Sequence, residues 1–314
     1  MSLKVLVLGS SAGGGLPQWN CACPQWRAAR EGDAHVPART QSSIAVSADG
    51  VRWVLCNASP DVRTQLARHQ ELRPRALRHS PIDAVALTNA DIDHAAGLLI
   101  LREGGAPPIY CTERVERALT DGLRVIPALS AYGDVRVRRL VPGDETTLCD
   151  RAGDDLGVRL RAFTVASKPP PYMLPLLSAA EAADLHAGDT LGFELRAADS
   201  ADTVVYVPGV RDLDDALRER IARAALVLID GTCFTDDELV RAGMSAKTAR
   251  VMGHAPLAGA GGLLEFLDGM RGPRKVLVHI NNSNEVLREG SEARRAVEAR
   301  GVRVGMDGDA FSVG

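Results

Sequence analysis

Apolar positions along this chain fall mostly into short, β-branched runs closed by turn residues, the pattern of strands buried on at least one face. Strands are predicted over Leu3–Leu8, Ser43–Val46, Val51–Cys56, Ala84–Thr88, Pro108–Cys111, Arg136–Leu140, Val158–Val165, Leu191–Leu195, Thr203–Val207, Ala225–Ile229 and Lys275–His279. Between them, apolar residues at helical spacing predict helices over Asp61–His69, His94–Arg102, Glu113–Gly122, Asp214–Ala224, Gly261–Met270 and Ser291–Arg300. Ser291 is a good helix start and Gly301 a good stop. Strand pairs dominate the first half and strand–helix alternation the second. Two sheets packed together with helices outside satisfy that order, because each sheet buries one face and each helix one stripe. No linker, repeat or low-complexity tract divides the chain, so a single domain over residues 1–314 is expected. The least regular stretch, Ser167–Asp189, contains Lys168-Pro169-Pro170-Pro171-Tyr172. Its prolines predict extended backbone without regular helix. It reads equally as a wall or lid over a site and as a rigid surface crossover.

Composition narrows the classes. The 314 residues carry 37 basic and 40 acidic side chains, which argues against a nucleic-acid binder. No apolar run approaches the roughly 18 residues of a membrane helix, and the opening Leu3–Leu8 run reads as a strand rather than a secretion signal. Six scattered cysteines are too few for a disulfide framework in a chain this long, so a reducing cytoplasm is expected.

Candidate chemistry sits at strand ends. An apolar strand ends at Thr88, a helix begins near His94, and the turn between them packs Asp91, Asp93 and His94 into four residues. Two neighbouring carboxylates repel unless a cation or proton lies between them, so this turn reads as a metal site or as a capped helix with a solvated His94. His279 closes the strand Lys275–His279 and is followed by Ile280-Asn281-Asn282; a lone His there is more often structural than a ligand. His254 stands in a turn, Gly253-His254-Ala255-Pro256. No G-x-S-x-G elbow is present, and the stretch after the first strand lacks G-x-G-x-x-G spacing. Cys56, Cys111, Cys149 and Cys233 read as core residues, and His35, His69, His79 and His186 as surface ones.

Thr88-Asn89-Ala90-Asp91-Ile92-Asp93-His94-Ala95-Ala96-Gly97 resembles the T-H-x-H-x-D-H-x-x-G signature of the metallo-β-lactamase superfamily. The resemblance implies a four-layered αββα sandwich. That superfamily commonly binds two metals, one of them through the first two His of the signature and a later His. Here those first two positions hold Asn89 and Asp91, Ser167 and Lys168 stand where the later His is expected, and Pro208-Gly209-Val210 where a bridging Asp is expected. The other implied ligand set, Asp93, His94 and His279, is complete. Two His and one carboxylate make the ligand set of mononuclear non-haem Fe(II) oxygenases. A di-zinc hydrolase needs two cations and is disfavoured.

Further blocks narrow the resemblance: Trp19-Asn20-Cys21-Ala22-Cys23-Pro24, Gln41-Ser42-Ser43-Ile44-Ala45, Asn57-Ala58-Ser59-Pro60-Asp61, Gly253-His254-Ala255-Pro256 and His279-Ile280-Asn281-Asn282. In this order, over nearly the whole chain, they resemble the coenzyme PQQ biosynthesis protein B family. That resemblance implies a cytoplasmic step in making pyrroloquinoline quinone (PQQ), an Fe(II)- and O₂-dependent hydroxylation of the tyrosine ring in a cross-linked Glu–Tyr precursor. A carrier or transport factor for PQQ or its precursor is the alternative, and a metal-dependent hydrolase a weaker one. Under the leading reading Asp93, His94 and His279 hold iron, with zinc a candidate in purified protein. Asp91 is then a fourth ligand or a partner that orients a His ring. His254 becomes a proton donor or acceptor, and Lys168 and Arg102 pair with substrate carboxylates. The partners implied are this small dipeptide, dioxygen and other proteins of the pathway, with neither nucleic acid nor membrane. Family members commonly carry a third Cys after the Cys-x-Cys pair, completing a structural zinc site. Here Trp26 stands at that position, which leaves Cys21 and Cys23, with His35 a further candidate, for an ion that is almost always four-coordinate.

Overall fold

The computed structural model describes residues 2–314. Its strands are β1 (Leu3–Gly9), β2 (Ser43–Ser47), β3 (Trp53–Cys56), β4 (Ile82–Ala86), β5 (Ile109–Cys111), β6 (Val137–Arg139), β7 (Glu145–Cys149), β8 (Asp155–Thr164) and β9 (Leu191–Ala197). They are followed by β10 (Val204–Val207), β11 (Leu226–Asp230), β12 (Arg274–Val278), β13 (Val302–Val304) and β14 (Ala310–Val313). Two mixed sheets flanked by helices result, as the hydrophobic pattern predicts. The described chain forms two compact units, residues 2–8 with 43–203 and 308–314, and residues 9–42 with 204–307.

In the first unit one sheet runs in the order β14-β1-β2-β3-β4-β5-β6. β1 lies antiparallel to β14 and β2 to β3, whereas β3, β4, β5 and β6 are parallel. Strands β7, β8 and β9 form an antiparallel meander. Trp53, Leu55, Val85, Leu87, Leu98, Ile109, Leu119 and Met173 belong to one buried cluster of this unit. In the second unit β10, β11, β12 and β13 are all parallel. β10 and β11 are fully buried runs, Val204–Val207 and Leu226–Asp230, the composition expected of parallel strands covered on both faces.

Three strands escaped the sequence pattern. β7 reads Glu-Thr-Thr-Leu-Cys and buries only Leu148 fully; β13 and β14 are short and half exposed. The helix Pro24–Glu31 was also missed, because its N-cap is Cys23, a residue outside the usual capping set. The triproline stretch corrects another expectation. A 3₁₀ helix spans Pro171–Leu176, and the third proline occupies its first turn, where the missing N–H costs nothing. Among the described residues no helix is long and apolar enough to cross a membrane.

The loop that leaves β1 is held by one carboxylate. Asp307 accepts hydrogen bonds from Ser10 N (2.9 Å), Ser10 Oγ (2.8 Å), Thr40 N (2.7 Å) and Thr40 Oγ1 (2.8 Å). Four donors on one charged acceptor predict that Asp307→Ala destabilises the protein by about 3 kcal/mol, read from urea unfolding midpoints. A midpoint unchanged from the parent would show that water replaces the carboxylate.

Candidate metal and proton-transfer site

In the first unit β4 delivers the chain to Thr88, and the turn Asn89-Ala90-Asp91 leads into the short helix Ile92–Ala95. The Asp91 main-chain carbonyl accepts from His94 N and Ala95 N (both 2.9 Å), while its side chain makes no capping bond to the helix. Thr88 is pinned by Asn57, whose Oδ1 accepts from Thr88 N at 2.9 Å and whose Nδ2 donates to Thr88 Oγ1 at 2.9 Å. The Asn57-Ala58-Ser59 turn lies directly on this helix: Ala58 N donates to His94 O at 2.7 Å and Gly97 N to Ala58 O at 2.9 Å. A Cβ on Gly97 would meet Ser59 O at 2.1 Å, so only glycine permits the approach.

This packing buries His94 to 1% exposure. Its Nδ1 lies 2.7 Å from Asn89 Oδ1, and its Nε2 lies 3.8 Å from Asp93 Oδ2. Two metal–ligand bonds of about 2.1 Å reach across as much as about 4.2 Å, so an imidazole nitrogen and a carboxylate oxygen at this spacing fit one shared cation. The capping explanation for Asp91 is not what the turn uses its side chain for, and His94 is buried rather than solvated.

The second unit carries a denser constellation at the ends of its parallel strands. β11 ends on Asp230, which is 1% exposed and accepts from four donors: His254 Nδ1 (2.6 Å), Thr232 Oγ1 (2.6 Å), Thr232 N (2.9 Å) and Val210 N (3.1 Å). Burial by itself pushes the Asp230 carboxyl up; the charge and hydrogen bond of His254, helped by His279 and Thr232, outweigh it and hold the group below its ordinary value. His279 follows β12 directly, in left-handed backbone (φ 55°), a conformation uncommon for a residue with a side chain. Thr232 Oγ1 lies 2.9 Å from both His279 Nδ1 and His279 O and 3.2 Å from His254 Nδ1. The two imidazoles stack at 5.2 Å between centroids and 23° between planes. The loop carrying His279 is braced by Asn284, which donates to Gly231 O at 2.9 Å, and by Glu238, which accepts from Ser283 Oγ at 2.7 Å and Phe234 N at 2.6 Å.

One nitrogen or oxygen each from Asp230, His254 and His279 lies within 4.8 Å of the others. Because both Asp230 oxygens are committed to hydrogen-bond donors, its chemistry here is that of a brace for the imidazoles rather than of a ligand. Sequence reasoning missed Asp230 and Thr232. The available signal was a buried run, Leu226–Ile229, ending in a carboxylate, the same strand-end logic that singled out Asp93 and His279.

The remaining candidates are placed as follows. Lys168 is exposed in the segment after β8. Arg102 donates to Leu99 O at 3.0 Å, lies 3.5 Å from Glu103 and sits over the Tyr132 ring at 5.7 Å. Cys23 Sγ caps the helix Pro24–Glu31 by accepting from Trp26 N and donates to Asn282 O, both at 3.4 Å, while Cys21 Sγ accepts from Cys23 N at 3.4 Å. Among the described residues no third His, Cys, Asp or Glu joins Cys21 and Cys23 in a metal-ready group. His35 is exposed and 3.7 Å from Glu289. These side chains do not supply the four ligands of a structural zinc. His69, expected on the surface, is buried.

Residues 52–280 match the Beta-lactamase superfamily domain. The chain is 41% identical over 311 residues to a coenzyme PQQ synthesis protein B of Pseudomonas aeruginosa, 98% of each chain being covered. Its counterpart in Azotobacter vinelandii is 41% identical over 307 residues, with the same coverage.

The chain belongs to the coenzyme PQQ synthesis protein B family.

A solved structure of this family, Zn²⁺-bound PqqB from Methylobacterium extorquens, matches with a TM-score of 0.88 at 41% identity, covering 98% of this chain and 99% of that one. A diphosphatase of the PhnP family shares the fold alone, with a TM-score of 0.66 at 18% identity over 98% and 97% of the chains. The metallo-β-lactamase fold is therefore established for this member of the family. Its fold, its zinc-bound relative and its strand-end donor groups together support a metal-dependent enzyme of PQQ biosynthesis.

Proposed function

We propose that this protein performs an oxidative step of PQQ biosynthesis, the Fe(II)- and O₂-dependent hydroxylation of the tyrosine ring in the cross-linked Glu–Tyr precursor. Asp93, His94 and His279 would hold the iron, a two-imidazole, one-carboxylate set that leaves positions open for substrate and dioxygen. Bound iron would supply the activation of dioxygen; one oxygen atom would be inserted into a ring C–H bond and the other would leave as water, with two electrons from an external reductant and two protons from solvent.

Asn89 is the observation that carries this reading. It occupies the position of a metal-ligating His in the superfamily signature, and its carboxamide oxygen instead engages His94 Nδ1 at 2.7 Å. A side chain turned back onto His94 supports a one-metal centre over the paired cations of a hydrolase. His254 would exchange protons with the substrate through Nε2, since its Nδ1–H is held by Asp230 at 2.6 Å. Lys168 would pair with a substrate carboxylate; Arg102 is the weaker candidate, being engaged by Glu103 and Leu99 O.

The test is incubation of Fe(II)-loaded protein with the cross-linked dipeptide, a reductant and ¹⁸O-labelled dioxygen, followed by mass spectrometry. Label in the tyrosine ring, dependent on both protein and iron, is expected. An unchanged dipeptide recovered from iron-loaded protein would replace this reading with that of a carrier.

A further inference from the structure

The segment between β8 and β9 touches the His94 turn through one hydroxyl. Tyr172 Oη donates to Ala90 O at 2.5 Å. Ala90 C=O and Asp91 N–H are the two ends of one planar peptide unit, so fixing one end orients the other. At that other end Asp91 N donates to Asn89 Oδ1 at 3.1 Å, and the same oxygen lies 2.7 Å from His94 Nδ1. Because the Asp91 N–H requires an acceptor, the carboxamide presents its oxygen, and the ring nitrogen beside it must be the donor. Four groups thus form one chain of hydrogen bonds, in which each bond polarises and orients the next. Its inner members are buried: Asn89 is 5% exposed, Ala90 1% and His94 1%.

We infer that Tyr172 is a positioning residue for the centre, orienting the His94 imidazole through the Ala90–Asp91 peptide and Asn89. The inference rests on the metal-ligand reading of His94 for its consequence, though not for the relay itself. Tyr172 is built to stay in place. Its ring packs against the buried cluster of the first unit, and a Cβ on Gly122 would meet its Cε2 at 2.6 Å. Arg117 ties the end of the same segment, donating to Leu176 O at 2.8 Å and to Glu181 Oε1 at 2.7 Å. The hydroxyl also keeps its proton, since burial first, and then the charges of Asp91 and Asp189, push its pKa up. The triproline segment is therefore a strap with a defined task, holding the ligand turn from a position 82 residues away in the chain.

The decisive variant is Tyr172→Phe, which removes one oxygen and keeps the ring. In metal-free protein with ¹⁵N-labelled histidine, the His94 Nδ1–H resonance is assigned by its absence in His94→Gln. Its solvent exchange is expected to accelerate at least about tenfold in Tyr172→Phe, and Co(II) affinity to fall by roughly tenfold, the low end for loss of a partner that orients a ligand. Met173→Ala serves as the packing control: Met173 is buried beside Tyr172, and its truncation should lower Tm while leaving the His94 resonance intact. Wild-type exchange and Co(II) affinity in Tyr172→Phe would overturn the inference, as would an equal effect of Met173→Ala on His94. Failure of the parent protein to take up Co(II) would instead count against the metal reading, and the exchange rates alone would then decide the relay.

Discussion

Replacing His279 with alanine is expected to abolish metal retention and turnover together. His279 is 6% exposed, follows β12 in left-handed backbone, and has its Nδ1 held at 2.9 Å by Thr232 Oγ1, whose own proton goes to Asp230. A side chain restrained at its ring and set by its strained backbone is arranged to present Nε2 in one direction, which is what a ligand requires. The parent protein should gain about 2.7 kcal/mol of stability when free metal reaches a hundred times its Kd, because the ion binds only the folded state. In His279→Ala that gain should vanish. His279→Asn separates the ligand role from folding, since Asn tolerates the left-handed region and can still bond Thr232. Metal content by mass spectrometry, Tm with and without metal, and turnover of the Glu–Tyr dipeptide read the result. Either variant purified iron-loaded and fully active would remove His279 from the ligand set.

The second large effect is expected at Asp230. Asp230→Ala leaves the donors of His254, Thr232 and Val210 without their shared acceptor in a buried place, a loss of about 3–5 kcal/mol. Asp230→Asn is the more informative change, because it keeps the shape and removes the charge. An amide offers one acceptor oxygen and two donors, so a donor must face either the His254 Nδ1–H or the Thr232 pair. With His254 no longer held, kcat should fall about 10²- to 10⁴-fold while metal content is retained. The acid limb of stability should change as well. The Asp230 carboxyl is held below its ordinary value in the folded protein, so its stabilisation is complete above the ordinary carboxylate range and disappears as pH falls through the folded value. The difference in unfolding free energy between parent and Asp230→Asn should therefore shrink toward low pH. An Asn variant with unaltered kcat would show that His254 moves no proton in the rate-determining step.

How legible these sites were follows from how far apart their parts lie in the chain. Asp93 and His94 are adjacent and follow a strand whose apolar run is obvious, so a local reading of strand, turn and helix finds them. His279 closes an equally clear run, yet alone it reads as structural and became a ligand candidate through the family resemblance, while the need for Gly97 shows only in the approach of Ser59 O. Asp230 ends a run just as clear, yet it escaped notice because one carboxylate at a strand end has many structural explanations and nothing nearby points to its partner. That partner, His254, is 24 residues away, and Thr232 meets His279 across 47. The cysteine pair shows the converse: a motif easy to see locally, whose side chains in this chain cap a helix and reach Asn282 without assembling a metal-ready group.

The sequence by itself determined the alternation of buried strands and helices and the residues at individual strand ends, because hydrophobic period and turn chemistry act over a few residues; its motif blocks carried the resemblance to the family. It also showed that Asn89 and Asp91 replace two histidines of the superfamily signature. Only the tertiary structure decided what those residues touch. Parallel register sets Asp230 beside Val278, which brings the Thr232 turn against His279, and the strap after β8 returns Tyr172 to Ala90. Such contacts depend on which strands pair and in what register, and that is settled by the burial of whole faces rather than by any short stretch of chain.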